Sequence, residues 1–195
     1  MKIVLASNSK NRKDLLDMIG FAYEIKKSRK EEESSATNPF EYVAELSKTK
    51  ALDVLDQLDY EAIIIAADTI ITMDDKIYEK PKTKEEAYNN LKEMSGRTTT
   101  AITGMTIIDM SQDITLTLSD SVDISFKEIS EEDIKWYVEN DPYILDRCGY
   151  SLQGKASLFI NKIEGDYNVG VGLSLNKLHD VIKQLGYKLS DIELK

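Results

Sequence analysis

Among the 195 residues there is one cysteine, one histidine and three prolines. A lone Cys148 forms no internal disulfide and supplies no Cys-rich zinc site, which fits a reducing compartment. The single histidine, His179, lies in the last helical stretch, and no nucleophile-elbow motif is present, so a Ser-His-Asp arrangement finds no support. Nine glycines and three prolines are too few for a low-complexity or disordered chain. No apolar run approaches the ~20 residues of a membrane span. The apolar start at 2–6 is too short for an export signal and is followed by Asn8 and Ser9, so the expected location is the cytoplasm. Basic residues are also in short supply. Lys and Arg number 25 against 35 Asp and Glu, a formal net charge of -10. Such a field repels nucleic-acid backbones and anionic membranes. It leaves open a small anionic ligand, provided basic side chains are concentrated locally or a cation joins them.

What is present is apolar residues, 42% of the chain, enough to build a sizeable core in one domain over 1–195. The pattern predicts a buried strand over 2–6 and a helix over 10–18 capped by Ser9 and stopped by Gly20. A strand over 22–26 follows, then a charged, Ser-rich loop over 27–37. Asn38 and Pro39 announce a helix reaching about residue 58, with Glu41 completing a box-like start. Strands are expected over 62–67 and 70–73, ended by a turn at Asp74-Asp75-Lys76. Thr83 and Glu86 frame a capping box for a helix to about Met94. The Thr-, Ile- and Val-rich stretch from 98 to 126, broken at 110–113, reads as a long hairpin. Ser130 and Ser174 open two further helices, and a Gly-rich region of short strands and turns, 149–172, lies between them. Strands alternating with helices and then a hairpin indicate an α/β fold with a mixed central sheet.

Several segments have the residue types that phosphate chemistry requires. Ser7-Asn8-Ser9-Lys10-Asn11-Arg12 joins a buried strand to a helix, and backbone N–H groups at a helix start favour an anion. Arg12 can grip phosphate oxygens bidentately. Asp68 ends an apolar strand at the sheet edge where α/β proteins bind ligands. It suits a divalent cation, water deprotonation or simple turn hydrogen bonds. Lys80, before Pro81, suits a phosphate ligand or an exposed turn, and Lys50 reads equally as a solvated helix residue. Glu31-Glu32-Glu33 offers carboxylates to Mg²⁺ or forms a solvated loop. Gln153, among small residues, can present an amide to a base edge.

Taken in order, these pieces resemble the Maf family of nucleotide pyrophosphatases. The likeness rests on Leu5-Ala6-Ser7-x-Ser9-x-x-Arg12, Lys50-Ala51, Ala67-Asp68-Thr69, Lys80-Pro81, Ser95-Gly96-Arg97, Ile102-Thr103-Gly104, Gln153-Gly154 and Gly172-Leu173. It implies two lobes around a deep cleft, an architecture related to the inosine triphosphate pyrophosphatases. It implies hydrolysis of a nucleoside triphosphate to the monophosphate and pyrophosphate with Mg²⁺ or Mn²⁺. The family's catalytic Asp falls on Asp68, its phosphate-binding lysines on Lys50 and Lys80, its Arg on Arg12, and its acidic metal ligand on Glu31 or Glu32, with Asp68 beside it. Both lysines are thereby expected at the substrate and not in the core. The subgroup acting on dTTP and UTP has Arg, Thr and Gln at three positions, where this chain has Asn11, Thr69 and Gln153. The subgroup preferring a methylated guanine has Trp at the first. Other departures are Lys10 for Pro, Thr99 for His and Ser174 for Pro. The rival reading is a non-catalytic nucleotide-binding regulator, since the family name derives from septum formation. A homodimer is left open.

Overall fold

The computed structural model describes residues 1–30, 33–74 and 76–195. Its strands are β1 (Ile3–Leu5), β2 (Glu24–Ile25), β3 (Ile63–Met73), β4 (Lys76–Tyr78), β5 (Thr98–Asp109), β6 (Ile114–Phe126) and β7 (Ile160–Gly165). They form a seven-stranded sheet in the order β2-β1-β3-β5-β6-β7, with β4 paired to β3. β1 is parallel to β2 and β3, while β3–β4 and β6–β7 are antiparallel. The helices are α1 (Lys10–Met18), α2 (Pro39–Leu55), α3 (Lys84–Met94), α4 (Glu131–Asn140), α5 (Tyr167–Val171) and α6 (Leu175–Gln184). The fold is therefore α/β with a mixed sheet. No helix among the described residues is long and apolar enough to cross a membrane.

The chain divides into two compact units. The first comprises Met1–Thr69, Thr103–Asp120 and Gly172–Lys195. Its core follows from the two-residue repeat of a strand. Ala62, Ile64 and Ala66 pack with Val4 and Ala6 of β1, Ala51 and Val54 of α2 and Ile108 of β5. Ile63, Ile65 and Ala67 point to the other face and are equally buried. On β5, Gly104 and Thr106 share the parity of Ile108 and meet α2. A Cβ on Gly104 would stand 2.3 Å from the carbonyl oxygen of Val43, so helix and strand touch backbone to backbone. One turn further along α2, the Ser47 and Thr106 hydroxyls bond at 2.8 Å, and Thr106 bonds Thr117 of β6 at 2.9 Å. Buried hydroxyls cost free energy unless paired, and these are. Asn38 Oδ1 caps α2 by accepting the N–H groups of Phe40 and Glu41. Ser9 occupies the cap position of α1, but its side chain does not cap; its N–H instead donates to Ser7 Oγ at 3.2 Å.

The second unit comprises Ile70–Ile102 and Ser121–Val171. Thr83 Oγ1 caps α3 by accepting the Glu86 N–H, and the Glu86 carboxylate accepts the N–H of Lys82, one residue before the position a capping box requires. Ser130 Oγ caps α4 in the same way through Asp133. Tyr137 stands edge-on to Phe159, and Phe126 edge-on to Tyr150.

The structure departs from the sequence reading in four places. β3 runs unbroken through Asp68 and Thr69, because each polar side chain finds a partner without leaving the pleat. The turn at Asp74, which has a positive φ of 51°, is followed by β4, a strand the charged sequence concealed. The strand expected over 22–26 shrinks to Glu24–Ile25, and Phe21 forms an isolated bridge with Leu194. The 149–172 region holds a 3-10 turn (Lys155–Leu158), β7 and α5.

Candidate active site

The buried stripe of α2 runs Val43, Leu46, Ser47, Lys50, Ala51, Val54, the three-and-four spacing of a helix face against a sheet. Lys50 sits inside that stripe. Its ammonium forms an ion pair with the carboxylate of Asp68, which β3 presents to the same face after Ala62, Ile64 and Ala66. The side chains are 11% and 10% exposed. Lys50 is therefore neither a solvated helix residue nor a lysine clear of the core, as the sequence suggested. A buried pair of this kind is fragile, because removing either partner leaves the other charge uncompensated. Gly104 and Ser47 fix where α2 rests, and with it the reach of Lys50.

Thr69 is the next residue of β3 and faces the opposite side of the sheet. There the Arg12 guanidinium spans three acceptors. Nε donates to the Gly172 carbonyl at 2.9 Å, Nη1 to Ser7 Oγ at 3.1 Å and Nη2 to Thr69 Oγ1 at 3.3 Å. Thr69 in turn bonds the buried hydroxyl of Thr103 at 2.9 Å. Gly172 has a φ of 121°, and a Cβ there would stand 3.6 Å from Arg12 Nε. The sequence reading placed Arg12 at the phosphates. The structure adds that it clasps the start of α1 to β3 and to the turn before α6. Asn11 and Ser9 are half-buried nearby in sequence. Thr103 was absent from the sequence candidates; its signal was a threonine at a buried strand position, where a hydroxyl demands a partner.

Lys80, Gln153 and Arg97 belong to the second unit. Lys80 is exposed between β4 and α3. Gln153 is exposed in a turn closed by the Gly154 N–H on the Ser151 carbonyl at 3.1 Å. Arg97, of the Ser95-Gly96-Arg97 segment, forms an ion pair with Asp74. Glu31 and Glu32, the acidic metal ligands expected from sequence, lie outside the described residues. Among the described residues, no group of three or more His, Cys, Asp or Glu is arranged to hold a metal ion.

A family model described as Maf-like protein matches residues 2–185. A dTTP/UTP pyrophosphatase of Thermoanaerobacter sp. (strain X514) is 39% identical over 184 residues, spanning 94% of this chain and 96% of that protein. A dTTP/UTP pyrophosphatase of Ruminiclostridium cellulolyticum is 38% identical over 189 residues, spanning 96% and 97%. Among solved structures, a HAM1 protein from Coxiella burnetii aligns over 65% of this chain and 73% of its own, with a TM-score of 0.46 and 15% identity.

Proposed function

Because the chain belongs to the Maf-like protein family, we propose that it is a nucleoside triphosphate pyrophosphatase acting on dTTP and UTP. The whole chain acts as one such domain, in the cytoplasm, on free nucleotides and not on nucleic acid. The observation that carries this reading is the buried Lys50–Asp68 pair at the middle of β3. Lys50 holds one carboxylate oxygen of Asp68 and so orients the other. Asp68 accepts a proton from water as its oxygen bonds to the α-phosphorus. The bond from that phosphorus to the bridging oxygen breaks, and pyrophosphate leaves with the electron pair. Phosphoryl chemistry depends chiefly on positioning and charge stabilisation, which Lys50, Lys80 and Arg12 serve as cations. Ser7 and Ser9 line the phosphate end at the start of α1. Thr69, Gln153 and Asn11 meet the base or sugar.

Among the described residues, Asp68 is the carboxylate of this site that suits a divalent cation. One buried carboxylate, Asp68, is enough where substrate phosphates and waters complete the shell, as Mg²⁺ prefers. With the acidic segment at Glu31 and Glu32, Asp68 would hold Mg²⁺ or Mn²⁺. When bound, the cation supplies charge neutralisation at the phosphate oxygens.

Discrimination between bases is expected to be weaker than in a site with Arg at position 11, since an amide bonds less strongly than a guanidinium, by roughly a factor of two. The test is phosphorus NMR of the products, with catalytic efficiencies for dTTP, UTP, CTP, GTP and 7-methyl-GTP. Pyrophosphate with a pyrimidine preference is expected, and Asn11→Arg should sharpen it. Release of terminal phosphate, or a guanine preference, refutes the reading.

A further inference from the structure

Gln153 is exposed, yet the three residues before it are not. Tyr150, Ser151 and Leu152 are 7%, 4% and 6% exposed. Leu152 packs against Gly170, where a Cβ would meet its Cδ1 at 2.5 Å and Val122 Cγ1 at 3.1 Å. Tyr150 reaches inward, and its hydroxyl bonds Thr99 Oγ1 at 2.7 Å. Thr99 is fully buried on β5. Its hydroxyl also lies 3.5 Å from the carbonyl oxygen of Ile124, to which it donates. A carbonyl only accepts, so the order that satisfies all three groups has Tyr150 donating to Thr99 and Thr99 donating to Ile124. Burial holds the Tyr150 phenol well above its ordinary range, so it stays a donor. A buried tyrosine hydroxyl needs such a partner, and here Thr99 provides it. The root of the Gln153 turn is thus tied at one point to β5, through a bond that a single methyl-for-hydroxyl exchange would remove.

We propose that Thr99 and Tyr150 are positioning residues for Gln153, and that this hydroxyl pair sets how sharply the enzyme separates pyrimidine from purine triphosphates. The inference rests on the reading that Gln153 meets the nucleobase. An amide that discriminates bases must be held still, because a turn free to shift re-pairs with the wrong base at little cost. The pair acts on base selectivity and not on the reacting atoms, so its loss should appear in KM and leave kcat nearly alone.

The experiment measures kcat and KM for dTTP, UTP, CTP and GTP in the unaltered protein, Thr99→Val, Thr99→Ser and Tyr150→Phe, each also combined with Gln153→Ala. Thr99→Val should lower the dTTP-to-GTP ratio of efficiencies by about tenfold, through KM, with kcat within about twofold. Thr99→Ser, which keeps the hydroxyl, should restore the ratio. In the Gln153→Ala background, Thr99→Val should change the ratio no further. Should Thr99→Val fail to fold with its phenol stranded, Tyr150→Phe removes that donor and must lower the ratio likewise. An effect of Thr99→Val that persists in the Gln153→Ala background overturns the proposal, as does a thermal shift with the ratio intact. An unaltered protein that turns over no triphosphate refutes the proposed function itself. An active one in which Gln153→Ala leaves selectivity unchanged refutes only the assignment of Gln153 and this inference.

Discussion

On one face of β3, at its middle, Lys50 and Asp68 meet as two opposite charges in a space almost closed to water. On the other side, Arg12 spreads one charge over a carbonyl and two hydroxyls, Gly172, Ser7 and Thr69, in a half-buried setting. Both sets belong to the first unit, and successive residues of one strand, Asp68 and Thr69, serve them. The charge pair behaves as a unit, since removing either member leaves the charge of the other buried. The guanidinium network is divisible, since each acceptor can be removed singly while the others still hold. The chemistry we propose needs the first, and tolerance to sequence change is available in the second.

The largest effect should come from splitting the pair. Asp68→Asn should lower turnover by about a thousandfold, within the range for losing a general base. Lys50→Ala should lower it comparably. Each should also cost about 3 kcal/mol of stability by stranding a buried charge. A double variant, Lys50→Met with Asp68→Leu, should regain most of the thermal midpoint while staying inactive. A double variant less stable than either single change would show that the pair does not behave as one unit.

A smaller effect is expected on the other face. Arg12→Lys offers a point charge where three directed donors stood, so KM for dTTP should rise about tenfold, with stability lowered by about 1 kcal/mol. Ser7→Ala should do less than half of that. Losses as large as those from Asp68→Asn would erase the distinction between the faces.

The smallest effect sharpens the comparison through a second buried carboxylate. Asp109 is 1% exposed, and Ser111, Tyr187 and Gln112 donate to it. Burial is the strongest single influence and pushes its pKa up, yet those donors together outweigh it and hold the pKa below the ordinary 3.8. A carboxyl lowered in the folded state adds stability that is present above about pH 4 and is lost as pH falls through the folded value. Asp109→Asn should therefore be less stable than the unaltered protein at pH 7, with the gap narrowing at pH 3. Denaturant midpoints at both values check this, and a gap of constant size would contradict it.

Much of this architecture was legible in the sequence because short-range chemistry wrote it. Asn38, Thr83, Ser130 and Ser174 each cap the helix they precede. The break at 110–113 separates β5 from β6 as its composition implied. Family-matching segments drew attention to Asp68, Lys50 and Arg12, which the fold sets on one strand and its two neighbours. What escaped depended on partners distant in sequence. Lys50 reads as a surface lysine until Asp68 is known to face it, although its place in the 43-47-50-54 series was a sign. Asp68 and Thr69 read as the end of a strand because charged and hydroxyl groups usually leave a sheet there. Lys50, Arg12 and Thr103 give those groups partners within the sheet, and the strand continues. Thr99 looked like a plain substitution for His until Tyr150 was seen to bond it.

The contact at Gly104 has a kinetic meaning. Where Val43 rests on bare backbone, there is no layer of side chains to compress or slide, and the Ser47–Thr106 bond pins the next turn. α2 is a fixed mount and not a piston. If Lys50 exchanges Asp68 for an arriving phosphate, the movement falls to the torsions of its own side chain. Such rotations are fast compared with helix displacement, so the exchange need not be the step that limits turnover.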